Sequence, residues 1–257
     1  MPWESFLNQT LPSALLIGLR IGAMMSIAPF FGGEGLSLRS KAAFTVALTV
    51  VLLPVHPPQA VPVTIGGWLQ AIAGETILGL ALALAMHLVF EAARLAGQVM
   101  GFQLGYSLVN IIDPQTAVDT PVMSVFSYTL ALLIFLQFNV HHWMLRGLAH
   151  SYDVVAPGQA VVTLASTTAL LHGAVGMWVA GVQIAAPVVA ATLTIDFLLA
   201  FLARASPQLP VLPVGMAVKA LTGFTVLWIV VGSWPHHFER YFAAALRFGE
   251  HLQALAH

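Results

Sequence analysis

Four ionisable side chains sit inside otherwise apolar runs: Arg20, Glu75, Asp196 and Lys219. A charge at the centre of a bilayer costs roughly 2.5–3.5 kcal/mol on insertion scales, so each needs a partner or water. Such residues can form a proton or ion path. The alternative is that they pair with one another on helices buried in protein, and the four show no relay spacing. Arg204, at the end of a later apolar run, joins them as a charge expected to be sheltered. Glu91 and Arg94, at i and i+3, read as a local ion pair on one helix face. Other chemistry is thinly supported. The 10 histidines include the adjacent pairs His141-His142 and His236-His237, but helical neighbours point about 100° apart and chelate poorly. There is no HExxH, no GxSxG and no cysteine, and Asp196 is the one aspartate within a span. No catalytic residue, metal site or cofactor is expected.

Two further features concern packing. Gly97, Gly101 and Gly105 form a GxxxGxxxG run, Gly18 and Gly22 a second GxxxG, and Gly176 and Ala180 a small-xxx-small pair. Small residues at this spacing let helix backbones approach closely, within the chain or against a partner. The segment 105–121, GYSLVNIIDPQTAVDTP, joins apolar residues to turn chemistry at Asp113-Pro114 and Asp119-Thr120-Pro121. A hydrophobic loop on a membrane protein must bury itself in protein or line a cavity. That makes it a candidate plug, lid or contact loop, or a loop packed on neighbouring helices.

The elements that must position these residues follow from composition. The 257 residues are 59% hydrophobic and 7% charged, with mean hydropathy +0.89. Ordinary soluble domains carry about 25% charge, so a water-exposed surface cannot be built here. A net charge of −1 supplies no basic footprint for nucleic acid. Glu4, with no Lys or Arg before the first apolar run, argues against a cleaved leader. Six apolar blocks read as helices: Leu11–Phe31, Ala42–Val55, Gly67–Phe90 with a more polar extension to Gly105, Val122–Val140 continuing into HHWMLRGLAH, Leu170–Leu202, and Val214–Trp234. A mildly amphipathic tail runs from Phe238 to Leu255. The second block is short for a span and the fifth too long for one upright crossing. No segment alternates with period two, so the expected class is all-α and polytopic. Arg39, Lys41, Arg94 and Arg204 fall on one side of a serpentine path and Arg146, Arg240 and Arg247 on the other. That split is too even to orient the chain.

RIGAMMSIAPFFGG (20–33), with Arg39 and Pro54 behind it, resembles the opening of the FliR family of flagellar biosynthetic proteins. These are subunits of the type III secretion export gate. The resemblance continues through Glu75 and Gly79, FEAARLAGQVMGFQLG (90–105), the Asp113-Pro114 loop, FLQFNVHHWMLRGLAHSYDVVAPG (135–158) and RASPQLPVLPVGMAVKALTG (204–223). Gly215 resembles the flagellar branch more than the injectisome branch. Pro210 stands where the family usually has Asn, and Ala217 where it has Pro. The resemblance implies one domain over 1–257, with helical hairpins in a closed helical assembly with P-type and Q-type subunits and the B-type switch subunit. It places the chain in the bacterial inner membrane, at the flagellar basal body, in contact with lipid and with exported unfolded polypeptide. It also implies that the loop 105–121, with Tyr106, Ser107, Leu108, Val109, Asn110, Ile111, Ile112, Asp113 and Pro114, is the plug. The glycines at 97, 101 and 105 would let the helix before it pack closely. The competing reading is an ion- or solute-coupled secondary transporter built on Glu75, Asp196 and Lys219. Such a protein is expected to show paired broken spans, and none is evident.

Overall fold

A computed structural model of the chain describes residues 10–32, 36–56, 64–105, 122–160, 164–206, 208 and 211–254. Among these residues there are eight helices and no strand. They are α1 (Leu11–Ile27), α2 (Leu38–Leu52), α3 (Ile65–Gln103), α4 (Val122–Gln137), α5 (Val140–Val154), α6 (Leu164–Ala205), α7 (Val211–Val231) and α8 (Trp234–Ala254). Pro12 occupies the first turn of α1, where its missing N–H costs nothing. Ser37 caps α2 by accepting the Ser40 N–H at 3.2 Å. The expected fourth block divides at Asn139, whose left-handed φ of 55° ends α4 and starts α5. Asparagine tolerates that region better than other residues with a Cβ.

The helices α3, α6 and α7 are long and apolar enough to cross a membrane; α4 and α5 make a fourth candidate if the broken pair counts as one span. The tail α8 is a full helix with one apolar face, and it buries Trp234, Phe238, Phe242, Ala245 and Leu252. Its polar face carries Glu239, Arg240, Arg247 and Glu250, the pattern of a helix that covers a core from outside.

The chain forms two compact units. The first comprises Met1–Leu88, Leu136–Val175 and Tyr241–His257; the second, Val89–Phe135 and Gly176–Arg240. In the first, Gly18 and Gly22 bring α1 onto α2: a Cβ on Gly18 would lie 3.4 Å from Thr49 Oγ1, and one on Gly22 3.7 Å from Thr45 Cγ2. Gly79 is tighter, since a Cβ there would run into the Arg20 carbonyl oxygen of α1. In the second, α3 and α4 close on each other at Gly97, where a Cβ would strike the Met123 carbonyl oxygen and lie 2.6 Å from Ser124 Cα. The seam continues through Phe90, whose ring centroid lies 5.4 Å from those of Tyr128 and Phe135.

Candidate functional site

Among the described residues, each unit holds a pair of opposite charges that joins separate helices. In the first, Arg20 of α1 and Glu75 of α3 are both fully buried and face each other as a two-pronged pair. Arg20 Nε donates to Glu75 Oε2 at 2.6 Å, and Nη2 to Oε1 at 3.0 Å. The remaining guanidinium hydrogens reach the end of α5. Nη1 donates to Ser151 O at 3.0 Å and Ser151 Oγ at 2.9 Å, and Nη2 to Val155 O at 3.0 Å. All five guanidinium donors therefore have acceptors, as a buried arginine requires. The Tyr152 ring stacks 4.3 Å from the guanidinium carbon, and its hydroxyl donates to Ile17 O at 2.9 Å. Glu75 Oε1 accepts a further N–H from Gly158 at 2.7 Å. Gly158 has φ +86°, and a Cβ on it would come within 3.1 Å of Leu16 Cδ1, so conformation and space both call for glycine. The centre ties α1, α3, α5 and the turn after α5 together at one point. With all five guanidinium donors engaged and the carboxylate held by three N–H groups, the centre is a fixed ion pair between helices.

The second unit holds Asp196 of α6 and Lys219 of α7, joined at 2.6 Å. Lys219 Nζ also donates to Gln103 Oε1 on α3 at 3.2 Å. These side chains are less enclosed, with 21% of the lysine and 43% of the aspartate exposed. Around them α6 and α7 present Phe197, Leu198, Phe201, Leu221 and Trp228 largely uncovered. Glu91 and Arg94 pair at 3.3 Å on α3, and the Arg94 guanidinium lies 4.3 Å over the Tyr128 ring.

The four charges within apolar runs thus form two pairs. Arg204 departs from expectation: it is exposed on the last turn of α6, where a cation complements the carbonyl end of the helix. Of the three glycines in register, Gly97 makes the backbone contact described above, and a Cβ on Gly101 would lie 3.2 Å from Met123 Cβ. Gly105 also has a conformational part. Its φ of +88° ends α3, and its N–H donates to Phe102 O at 3.2 Å. Gly176 has nothing within 4 Å of a would-be Cβ; Gly173 and Gly181 make the close contacts of α6, against Phe248 and Leu95. The loop residues Tyr106, Ser107, Leu108, Val109, Asn110, Ile111, Ile112, Asp113 and Pro114 lie outside the described residues. Sequence reasoning missed Ser151, Tyr152 and Gly158 as partners of the buried pair. The available signal was Pro157-Gly158 just after α5, a turn whose glycine can hold a positive φ.

Comparison with known proteins adds the lineage. The family described as "Bacterial export proteins, family 1" matches residues 11–245. The flagellar biosynthetic protein FliR of Bacillus subtilis (strain 168) is 32% identical over 220 residues, covering 84% of this chain and 85% of that one. Its counterpart in Pectobacterium carotovorum subsp. carotovorum is 30% identical over 227 residues, covering 88% and 86%. That of Escherichia coli (strain K12) is 28% identical over 209 residues, covering 81% and 80%.

Proposed function

The chain belongs to family 1 of the bacterial export proteins, and from that premise we propose that it is an export-gate subunit of the flagellar type III secretion apparatus. The observation that carries this reading is the match to flagellar relatives along nearly the whole of both chains. The geometry supports it in two ways. The fully buried Arg20–Glu75 pair has every guanidinium donor engaged by three elements, which suits a brace between helices better than a carrier of ions. The apolar helices α6 and α7 are poorly covered by the chain itself, with 22% and 17% of their most apolar stretches buried. An uncovered apolar face of that extent is suited to lipid or to neighbouring subunits.

In this reading the protein is not an enzyme and holds no cofactor. It sits at the inner membrane in the flagellar basal body, assembled with P-type and Q-type subunits and contacted by the B-type switch subunit. Residues 1–257 act as one domain, whose loop 105–121 is the plug of the pore. Energy for export comes from elsewhere in the apparatus; this chain supplies a constriction that seals against ions and yields to unfolded polypeptide. The apolar residues Leu108, Val109, Ile111 and Ile112 suit that task, because a dry constriction stops ions by dewetting.

The test has two stages. Purification of the C-terminally tagged chain in mild detergent, expressed from its native operon, is expected to bring P-type and Q-type subunits with it as one complex. Recovery of a lone chain with solute-flux activity overturns the reading in favour of the transporter. Deleting residues 106–112 is then expected to leave the complex assembled but leaky to ions. An assembled, ion-tight deletion removes the plug role.

A further inference from the structure

Contacts within the second unit converge on the last turn of α3. Lys219 Nζ bridges Asp196 Oδ2 and Gln103 Oε1, at 2.6 and 3.2 Å. One residue further, Leu104 is buried to 7% exposure. A Cβ on Gly223 would collide with Leu104 Cδ2 and lie 3.2 Å from Thr192 Cγ2. The bare glycine and the threonine methyl are thus a socket for the leucine. Lys219 and Gly223 are i and i+4 on α7, and Thr192 and Asp196 are i and i+4 on α6, so each pair shares one helix face. The two faces together hold consecutive residues, the amide of Gln103 and the side chain of Leu104. Immediately after them Gly105 turns the chain out of the helix at φ +88°.

A salt bridge joining only α6 and α7 would need no third member. The amide of Gln103 is what carries the pair across to α3. Its partial charge also suits a lysine already neutralised by aspartate, because it adds a hydrogen bond without adding net charge to an apolar setting. Leucine in the socket restrains the same turn by shape. A polar tether and an apolar peg on successive residues leave the end of α3 little freedom to rotate or slide.

We propose that Lys219 and Gly223, with Asp196 and Thr192 behind them, are positioning residues that fix the end of α3 and so set the direction in which the chain enters residues 106–121. The inference rests on the reading of 105–121 as the plug, and it names the elements that aim it: the facing surfaces of α6 and α7.

The chain has no cysteine of its own, so two spin labels can be placed at Leu108→Cys and Thr194→Cys in the purified, fully assembled complex. Their distance distribution is measured in the parent and in Gln103→Leu, which leaves the Lys219–Asp196 bridge in place while cutting its link to α3. Gly223→Val, which fills the socket, is the second variant, and Glu91→Gln on the same helix is the control. The parent and the control are expected to give one narrow distribution. Gln103→Leu and Gly223→Val are expected to widen it roughly twofold, as for a loop freed at its stem. Ion leak through vesicles carrying the same complexes is read in parallel. Widening together with leak supports both positioning and plug. Widening in an ion-tight complex supports positioning and removes the plug reading. A distribution in Gln103→Leu as narrow as the parent's overturns the proposal, whatever the leak.

Discussion

Among the described residues both units join helices through a cation and a carboxylate, Arg20 with Glu75 in one and Lys219 with Asp196 in the other, yet they use them differently. Arg20 and Glu75 are sealed from solvent and saturated with hydrogen bonds. Lys219 and Asp196 are partly open, and their third contact is a single amide oxygen. The planar fork of arginine meets a carboxylate with two parallel bonds and still has donors for backbone carbonyls. Lysine is a point charge on a flexible stem, suited to a bridge that reaches between elements. The first pair is therefore a brace, where loss of either member strands a buried charge. The second is a tether, where loss changes a position more than it changes stability.

The sharpest way to break this contrast is to remove one member of each pair. Arg20→Met or Glu75→Leu alone leaves an uncompensated buried charge, and a loss of about 3–5 kcal/mol is expected. It is read as a large fall in accumulation and in the thermal midpoint in detergent. The double variant Arg20→Met with Glu75→Leu is expected to recover a substantial part, since an apolar pair strands no charge. Should the double fall as far as the singles, the brace acts through its backbone contacts at Ser151 and Val155, not through charge balance. Next in size is Gly97→Val, which meets the immovable backbone of Met123 and Ser124 and is expected to cost about 1–3 kcal/mol by forcing α3 and α4 apart. Cross-linking between introduced cysteines at the α3–α4 seam reads the separation. Gly158→Ala is expected to cost about 1–2 kcal/mol, since alanine is strained at φ +86° and crowds Leu16. Lys219→Met belongs at the small end, about 1 kcal/mol or less in thermal stability, because its partners are partly exposed. A fall as large as that of Arg20→Met would erase the distinction between brace and tether.

Much of this arrangement is legible in the residues. The apolar blocks give the helix ends to within six positions, the break at Asn139 aside, because in lipid a helix closes its own backbone hydrogen bonds and length alone marks it. The pairing of Glu91 with Arg94 follows from local spacing. The choice of partner for Arg20 does not, since Glu75, Ser151 and Val155 come from separate elements that only packing brings together. Asn139 looks like an interior residue of one apolar block, yet it ends a helix: a single left-handed residue leaves no mark on hydropathy. Gly105 continues a four-residue glycine period, but its helix-ending φ is a property that spacing does not report. Gly176 keeps the spacing, yet a Cβ on it would meet nothing within 4 Å in this chain.

The brace also fixes an order of events during synthesis. Arg20 lies 55 residues before Glu75 but 135 before Val155. At translation rates of about 5–20 residues per second, Glu75 follows Arg20 within roughly 3–11 s, and Val155 only after roughly 7–27 s. During that interval the carboxylate has been made but the carbonyls and hydroxyl that complete the guanidinium's shell have not. A nascent chain stalled before Ser151 lacks the acceptors of three of the five hydrogen bonds that hold the guanidinium in the finished protein.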